Sequence, residues 1–352
     1  MTHLWNVLLL GLAVALVSRL SGGPAWLTFA GAALSLLPLA RWIGVWTEHL
    51  ASRVGPSLGG LLNATFGNAA ELIITIFALR QGLVELVKAS ITGSIIGNTL
   101  LILGCSAVVG GLRHGPQRFD ARGVGRHAAM MILALTALAL PAVFATVVKS
   151  AFVREEVSVA VAILLLATYG AYIHYSYFSR DARRFAAEAR PEGGEGKAWS
   201  VGRSLAVLAA AVVGTAVGSE LLVATVEPVS RALGLSQFFL GLILIPIIGN
   251  VAEHYSAIEF AARNRMELSL SIAANSSTQI AVFVAPLLVL VSLLFHPMNL
   301  IFEPIELVTL FASSAIFAYV SLDGETNWLE GVQLLALYLI AAVSFFFLPS
   351  PI

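Results

Sequence analysis

A five-residue motif carrying a carboxylate occurs twice in this chain: Gly67-Asn68-Ala69-Ala70-Glu71 returns as Gly249-Asn250-Val251-Ala252-Glu253. Both copies lie inside long apolar runs, where an ionised side chain is costly. The same offset of 182 residues pairs Gly59 with Gly241, Leu62 with Leu244, Ile76 with Ile258, Glu85 with Glu267, Leu86 with Leu268 and Ser94 with Ser276. The likeness therefore extends past one pentapeptide and implies two copies of one ion-handling unit.

Composition says where those runs reside. Hydrophobic residues make up 58% of the chain and charged residues 11%, with a mean hydropathy of +0.89. A soluble core cannot absorb that much apolar surface, so the chain is an integral, multi-pass membrane protein in contact with the lipid bilayer. Windows near 20 apolar residues predict about eleven helical spans. They fall near 4–20, 26–43, 58–79, 84–109, 127–148, 157–178, 202–226, 237–261, 268–294, 300–321 and 328–348. The runs are continuous rather than alternating, which excludes a β-barrel and makes the fold class all-α. Met1 to Asn6 carries no Lys or Arg, so the first run reads as an uncleaved span and not as a signal peptide.

The formal net charge is +0 and gives no argument for nucleic acid as a partner. Its distribution is more useful. Of the 20 Lys and Arg, only Arg19, Arg80, Lys88, Lys149, Arg154 and Arg231 fall on the side away from the N-terminus. That bias puts the N-terminus in the cytoplasm and the C-terminus outside, with a bacterial-type plasma (inner) membrane as the expected location. Tyr169, Tyr172, Tyr175 and Tyr177, just before Arg180, fit an interfacial aromatic belt on the cytoplasmic side. Cys105 stands alone, so an internal disulfide and a cysteine metal cluster are excluded.

The most polar stretch, residues 179–200, contains Arg183-Arg184 and Pro191-Glu192-Gly193-Gly194-Glu195-Gly196 and reads as a cytoplasmic linker. The layout is then a first transmembrane helix (1–25), a five-helix repeat (26–178), the linker, and a second five-helix repeat (201–352). Five is odd, so the two units enter the membrane from opposite sides and form an inverted repeat. The motif helices are dense in small and polar residues, among them Gly59, Gly60, Asn63, Thr65, Gly67, Ser90, Thr92, Gly93, Gly97, Asn98 and Thr99. Such helices kink readily and approach one another closely. Pro246 removes one backbone donor, which is expected to leave a carbonyl free to face a ligand.

Asn68 and Glu71 are three residues apart, as are Asn250 and Glu253, so each pair shares a helix face. Ser94 and Ser276 occupy matching positions on the neighbouring helices, and Gln279 lies one turn beyond Ser276. Two carboxylates, two amide oxygens, hydroxyls and backbone carbonyls make an all-oxygen set suited to a hard divalent cation such as Ca²⁺. Thiolates, which would favour copper or structural zinc, are absent from it. Burying each Glu costs roughly 2.5 to 3.5 kcal/mol, and no Lys or Arg falls in the middle of a span to neutralise it. Each Glu must therefore take up a cation or a proton.

Other candidates are weaker. His254 beside Glu253 either gates protons or packs. Glu85 and Glu267 repeat, yet sit at span ends as solvated caps or as cation mouths. Gly214 and Gly218 form a helix-packing pattern. Glu303 and Glu306 read as a solvated helix start rather than a ligand pair.

With those residues in hand, the chain resembles the calcium/proton exchanger (CAX) family of the wider Ca²⁺/cation antiporter group. The resemblance rests on Gly67-Asn68-Ala69-Ala70-Glu71-Leu72, Gly249-Asn250-Val251-Ala252-Glu253-His254, Gly93-Ser94 and Ser276-Ser277-Thr278-Gln279, and covers nearly the whole chain. It implies that Glu71 and Glu253 alternate between cation and proton, supported by Asn68, Asn250, Ser94, Ser276 and Gln279 as metal ligands. The sodium/calcium branch tends to surround its acidic residue with Ser and Thr, so proton coupling is favoured over sodium. One departure concerns the linker: many relatives carry a strongly acidic segment there, whereas residues 180–197 hold five basic and four acidic residues.

The function expected is a secondary antiporter, not an enzyme, that moves Ca²⁺ out of the cytoplasm in exchange for H⁺ by alternating access at a midplane site. Ca²⁺ and H⁺ are cargo, and no cofactor is expected. Mn²⁺ or Cd²⁺ as cargo, Na⁺/Ca²⁺ exchange and a cation channel are the alternatives. The sequence permits a homo-oligomer without specifying one.

Overall fold

The computed structural model describes residues 2–54, 56–178 and 200–348. The expected linker lies outside the described residues except for Ser200, whose hydroxyl accepts the Arg203 backbone N–H at 3.3 Å and caps the helix that follows. The helices are α1 (Trp5–Leu20), α2 (Ala25–Val54), α3 (Pro56–Phe66), α4 (Ala69–Arg80), α5 (Val84–His114), α6 (Ala121–Val147) and α7 (Ala151–Ile173). Beyond the linker come α8 (Val201–Leu233), α9 (Gln237–Gly249), α10 (Val251–Ala262), α11 (Met266–Ser292), α12 (Pro304–Val320) and α13 (Trp328–Phe346). Among the described residues the only strand pairing is a two-residue antiparallel contact of Gln117 with Thr326 and Arg118 with Glu325.

Every expected span falls on a helix or on a broken pair, but fewer cross the membrane by length and apolarity alone. Seven described helices pass that test, and an eighth passes if α9 and α10, bent by 63° at Asn250, count as one span. Helix breaks account for two of the four missing spans, dividing the apolar run at each motif and leaving α3 and α4 as short pieces at Gly67-Asn68 and α9 and α10 likewise at Gly249-Asn250; the other two, α1 and α12, are apolar but shorter than 18 residues. The outward faces of α7 and α13 are apolar, with Leu164, Leu339 and Ile340 exposed, as lipid-facing helices require.

Small residues set the packing. Gly11 and Gly31 bring α1 and α2 so close that a Cβ on Gly11 would lie 2.5 Å from the Gly31 carbonyl oxygen. Gly214 and Gly218 of α8 face Leu39 and Leu36 of α2, the packing role expected of that pair. The first half of α5 crosses α9 through Gly93, where a Cβ would sit 1.9 Å from the Leu242 carbonyl oxygen. Leu242 is the residue whose helical donor Pro246 removes. Its carbonyl therefore lies in this helix crossing rather than free in the site, contrary to the sequence expectation.

The aromatic belt also needs correction. Tyr169 is buried and stacks on Phe283 with ring centroids 5.0 Å apart, so it belongs to the α7–α11 interface. Tyr175 is exposed as a belt residue should be, and the side chain of Tyr177 lies outside the described residues.

Candidate cation site

The two breaks bring the motifs together. Glu71 lies in the first turn of α4 and Glu253 in the first turn of α10, so each carboxylate sits near a helix N-terminus whose unpaired N–H groups favour negative charge. The carboxylates are within electrostatic reach of each other. Gly249 makes this approach feasible, because a Cβ there would come within 3.3 Å of the Glu71 Cβ.

Three side-chain chains cross the bundle here. Ser94 on α5 donates its hydroxyl to Glu71 Oε1, and Asn250 donates Nδ2 to Ser94 Oγ at 3.1 Å and to the Pro246 carbonyl at 3.1 Å. Asn68 donates Nδ2 to Gln279 Oε1 at 2.7 Å, tying the first break to α11. Asn98 donates Nδ2 to Ser276 Oγ at 2.9 Å, tying α5 to α11. The donors of Ser94, Asn250, Asn68 and Asn98 all face protein. Left buried without a hydrogen-bond partner are Glu71 Oε2, Asn68 Oδ1 and Asn98 Oδ1. Buried oxygens are rarely left unpaired, and these three, on residues of one hydrogen-bonded neighbourhood, are of the kind a hard cation takes as ligands.

A cavity of about 520 Å³ reaches this set from one side. Asn68, Glu253, Ser276 and Gln279 line its floor, and Arg41, Glu48, Asn63, Tyr255, Ser256 and Glu259 stand along its walls. Glu71, with 1% of its surface exposed, and Asn250 lie just behind it. Arg41 at this wall packs between Trp5 and Tyr255, 5.4 and 5.0 Å from their ring centroids. All seven residues singled out from the sequence are thus in one neighbourhood.

Asn98 was missed as a site residue. Its repeat partner is Ile280, so repeat register could not find it, although a polar residue inside the apolar run 95–103 was a signal. It lies in a π-helical turn, Gly97–Ile102, and α11 has a comparable turn at Ile280–Val284 just past Gln279. Such turns are frequent at functional sites because they rotate side chains out of the helical register. His254 does not line the cavity.

One further expectation fails. Glu306 is not a solvated helix start: with 1% of its surface exposed, it accepts the Thr92 hydroxyl at Oε1 (2.7 Å) and the Glu303 backbone N–H at Oε2 (2.9 Å). The second bond belongs to a capping box at the start of α12, and Thr92 covers the carboxylate from α5. A buried basic residue does stand near the start of one span, although none falls in the middle of one. Lys88 is 7% exposed and donates to Asn299 Oδ1 at 3.0 Å and the Ile301 carbonyl at 3.1 Å, and it lies 3.5 Å from Glu85 Oε1. Glu85 is half exposed and Glu267 is exposed.

Broken helices around buried carboxylates, in a bundle this apolar, define a polytopic α-helical membrane protein of the secondary-transporter class. The model of the sodium/calcium exchanger protein family matches residues 24–178 and 203–347. A Ca²⁺/H⁺ antiporter of Aphanothece halophytica is 43% identical over 343 residues, covering 91% of this chain and 90% of that protein. The Ca²⁺/H⁺ antiporter ChaA of Bacillus subtilis (strain 168) is 39% identical over 347 residues, covering 96% and 97%. The solved structure of native YfkE superposes with a TM-score of 0.85 at 36% identity, over 98% of this chain and all of that one. An H⁺/Ca²⁺ exchanger CAX structure shares the fold, with a TM-score of 0.69 at 15% identity. The chain belongs to the calcium/proton exchanger (CAX) family of antiporters.

Proposed function

We propose that this protein exports Ca²⁺ from the cytoplasm in exchange for H⁺, with Glu71 and Glu253 alternately holding the cation and protons. The observation that carries the reading is the orientation of the amides: Asn68 and Asn98 direct their N–H groups to Gln279 and Ser276 and keep their oxygens unpaired, as Glu71 Oε2 is. The relatives named as Ca²⁺/H⁺ antiporters support the same cargo. Asn68, Asn250, Ser94, Ser276 and Gln279 act as supporting ligands.

The mechanism follows from charge. Two bare carboxylates hold about −2 in a low-dielectric interior, which is hard to occlude; one Ca²⁺ neutralises them, and so do two protons. Only loaded forms then switch sides, and exchange becomes obligatory. Two inverted five-helix units, residues 26–178 and 201–352, give such switching a natural geometry. The two separate stretches matched by one family model and the matching helix breaks at Asn68 and Asn250 support that division. The N-terminus is cytoplasmic, so the 520 Å³ cavity faces the cytoplasm. The membrane is a bacterial-type plasma membrane.

Purified protein in proteoliposomes tests the reading. An inside-acid pH gradient should drive Ca²⁺ uptake, and collapsing the gradient should stop it. Uptake driven equally well by Na⁺, or conductance without any counter-gradient, would replace the reading with a sodium-coupled exchanger or a channel. Parallel runs with Mn²⁺ and Cd²⁺ rank the cargo.

A further inference from the structure

The cavity leads a cation to two carboxylates, yet a positive charge stands on its wall. Arg41 is, among the described residues, the one basic side chain that lines it, alongside Glu48, Glu253 and Glu259. Glu259 is paired with Arg263, and neither Arg41 nor Glu253 stands in an ion pair among the described residues. Opposite charges that share one partly desolvated cavity attract, so the separation of these two needs a cause.

α2 brings Arg41 close to the site. Gly44, one turn along the same face of α2, touches α10 beside the motif: a Cβ there would lie 3.5 Å from the Ala252 Cβ, next to Glu253. Instead of turning to Glu253, the guanidinium lies 5.4 Å from the Trp5 ring centroid and 5.0 Å from that of Tyr255, and the two rings meet edge to face at 6.1 Å. Each ring face attracts a cation, and more so where water is excluded. Tyr255 belongs to α10, two residues past Glu253, whereas Trp5 comes from α1, the helix outside both five-helix units. At the 182-residue offset Arg41 and Tyr255 correspond to Val223 and Ile73, so neither the charge nor the ring is part of the repeated pattern.

We propose that Trp5 and Tyr255 are positioning residues that hold Arg41 off the cation site, where its guanidinium would otherwise pair with Glu253 and compete with Ca²⁺. Of the other carboxylates on the wall, Glu259 already holds Arg263, and Glu48 lies about two turns away from Arg41 along α2. Arg41 is then a tethered competitor, and the clamp sets the Ca²⁺ concentration at which the site fills from the cavity side. It also gives α1 a role in exchange, through Trp5. The inference rests on Glu253 belonging to the cation site.

Initial rates of Ca²⁺ uptake by the full chain in proteoliposomes, driven by an inside-acid pH gradient and measured against Ca²⁺ concentration, test the clamp. Trp5→Ala should raise the KM for Ca²⁺ roughly tenfold, the scale of one desolvated cation–π contact. The maximal rate should stay within a factor of about two, because saturating Ca²⁺ displaces the guanidinium. Trp5→Ala combined with Arg41→Gln should return the KM to the wild-type value, and Arg41→Gln alone should leave it unchanged or lower it. Trp5→Phe, which keeps a ring, should fall between wild type and Trp5→Ala. Tyr255→Leu, alone and with Arg41→Gln, asks the same of the second ring and covers the case in which Trp5→Ala does not fold. An unchanged KM in Trp5→Ala and Tyr255→Leu overturns the clamp. So does a raised KM that Arg41→Gln fails to relieve, since lost packing alone would produce it. A raised KM in Arg41→Gln itself also overturns it, because Arg41 would then assist Ca²⁺ rather than compete. If the wild-type protein shows no saturable uptake driven by the pH gradient, the exchange reading falls and the clamp with it; if it does, these outcomes strike the clamp alone.

Discussion

Asn68 and Gln279 stand 211 residues apart in the chain, and the 2.7 Å hydrogen bond between them fixes which way the Asn68 amide points. With Nδ2 held by Gln279, Oδ1 faces the site with no other partner. Gln279→Leu should therefore act through Asn68: the amide is free to rotate and an N–H is left unpaired. Apparent Ca²⁺ affinity should fall by about tenfold, the equivalent of one hydrogen bond, while the dependence on the pH gradient keeps its form. Asn68→Ala should match it within a factor of about two, and the double variant should add little, because the two residues act as one unit. Initial uptake rates against Ca²⁺ concentration measure all three, and simple addition of the two effects would separate these residues.

Glu71→Gln and Glu253→Gln should each abolish Ca²⁺/H⁺ exchange and leave folding intact. Each amide keeps the shape of the carboxyl but holds no charge and exchanges no proton. Gel-filtration profiles check folding and ⁴⁵Ca uptake checks function. Near-normal exchange by either variant would remove that Glu from the mechanism.

Packing at the α5–α9 crossing gives a stability prediction. A Cβ at Gly93 would meet the Leu242 carbonyl oxygen at 1.9 Å, whereas one at Gly97 would meet nothing within 4 Å. Gly93→Ala should destabilise by roughly 1 to 3 kcal/mol. Gly97→Ala should be neutral or stabilising by up to about 1 kcal/mol from helix propensity. Thermal melting in one detergent compares them, and equal melting temperatures would mean that the helices part easily at Gly93.

The division between what was legible in the sequence and what was not follows the range of the interactions. Glu71 and Glu253 could be read directly, because a carboxylate in an apolar run is costly wherever the chain goes. Their helix breaks were foreshadowed by Gly67-Asn68 and Gly249-Asn250, which combine poor helix formers at one point. Asn98 was overlooked because its use does not repeat: Ile280 stands at the matching position, and only the approach of α11 makes Asn98 a partner of Ser276. Glu303 and Glu306 did mark a helix start, and the capping box is local. That Thr92 then covers Glu306, and that Lys88 docks on Asn299 and Ile301, depends on contacts more than 210 residues apart in the chain. The Leu242 carbonyl was misjudged for the same reason, since Pro246 frees it locally but α5 covers it.

Orientation has its own test, drawn from the excess of basic residues on the N-terminal side. A reporter fused after Ile352 should be active only if it works outside the cytoplasm, and one inserted near Gly194 only if it works inside. The reverse pattern would overturn the orientation, and both reporters active on the same side would overturn the odd helix count per unit and with it the inverted repeat.

Coupling is decided by the charge balance of the site. If Glu71 and Glu253 are the only groups that trade protons for the cation, one Ca²⁺ exchanges for two H⁺ and no net charge crosses the membrane. Transport should then ignore voltage, although each elementary charge moved would be worth about 2.3 kcal/mol per 100 mV. Ca²⁺ uptake driven by an inside-acid gradient should run at one rate whether a potassium diffusion potential is imposed or clamped to zero. A clear voltage dependence would require a third charge in the cycle, and His254, one residue from Glu253, would be replaced first to look for it. The same balance bears on the empty protein. With both carboxylates replaced by Gln the site is neutral without cargo, so the doubly substituted protein should switch sides freely. A Ser256→Cys reporter on the cavity wall would then label with a membrane-impermeant maleimide to the same extent at every pH and Ca²⁺ concentration. Labelling of that variant that still follows Ca²⁺ or pH would show that something other than site charge makes the exchange obligatory.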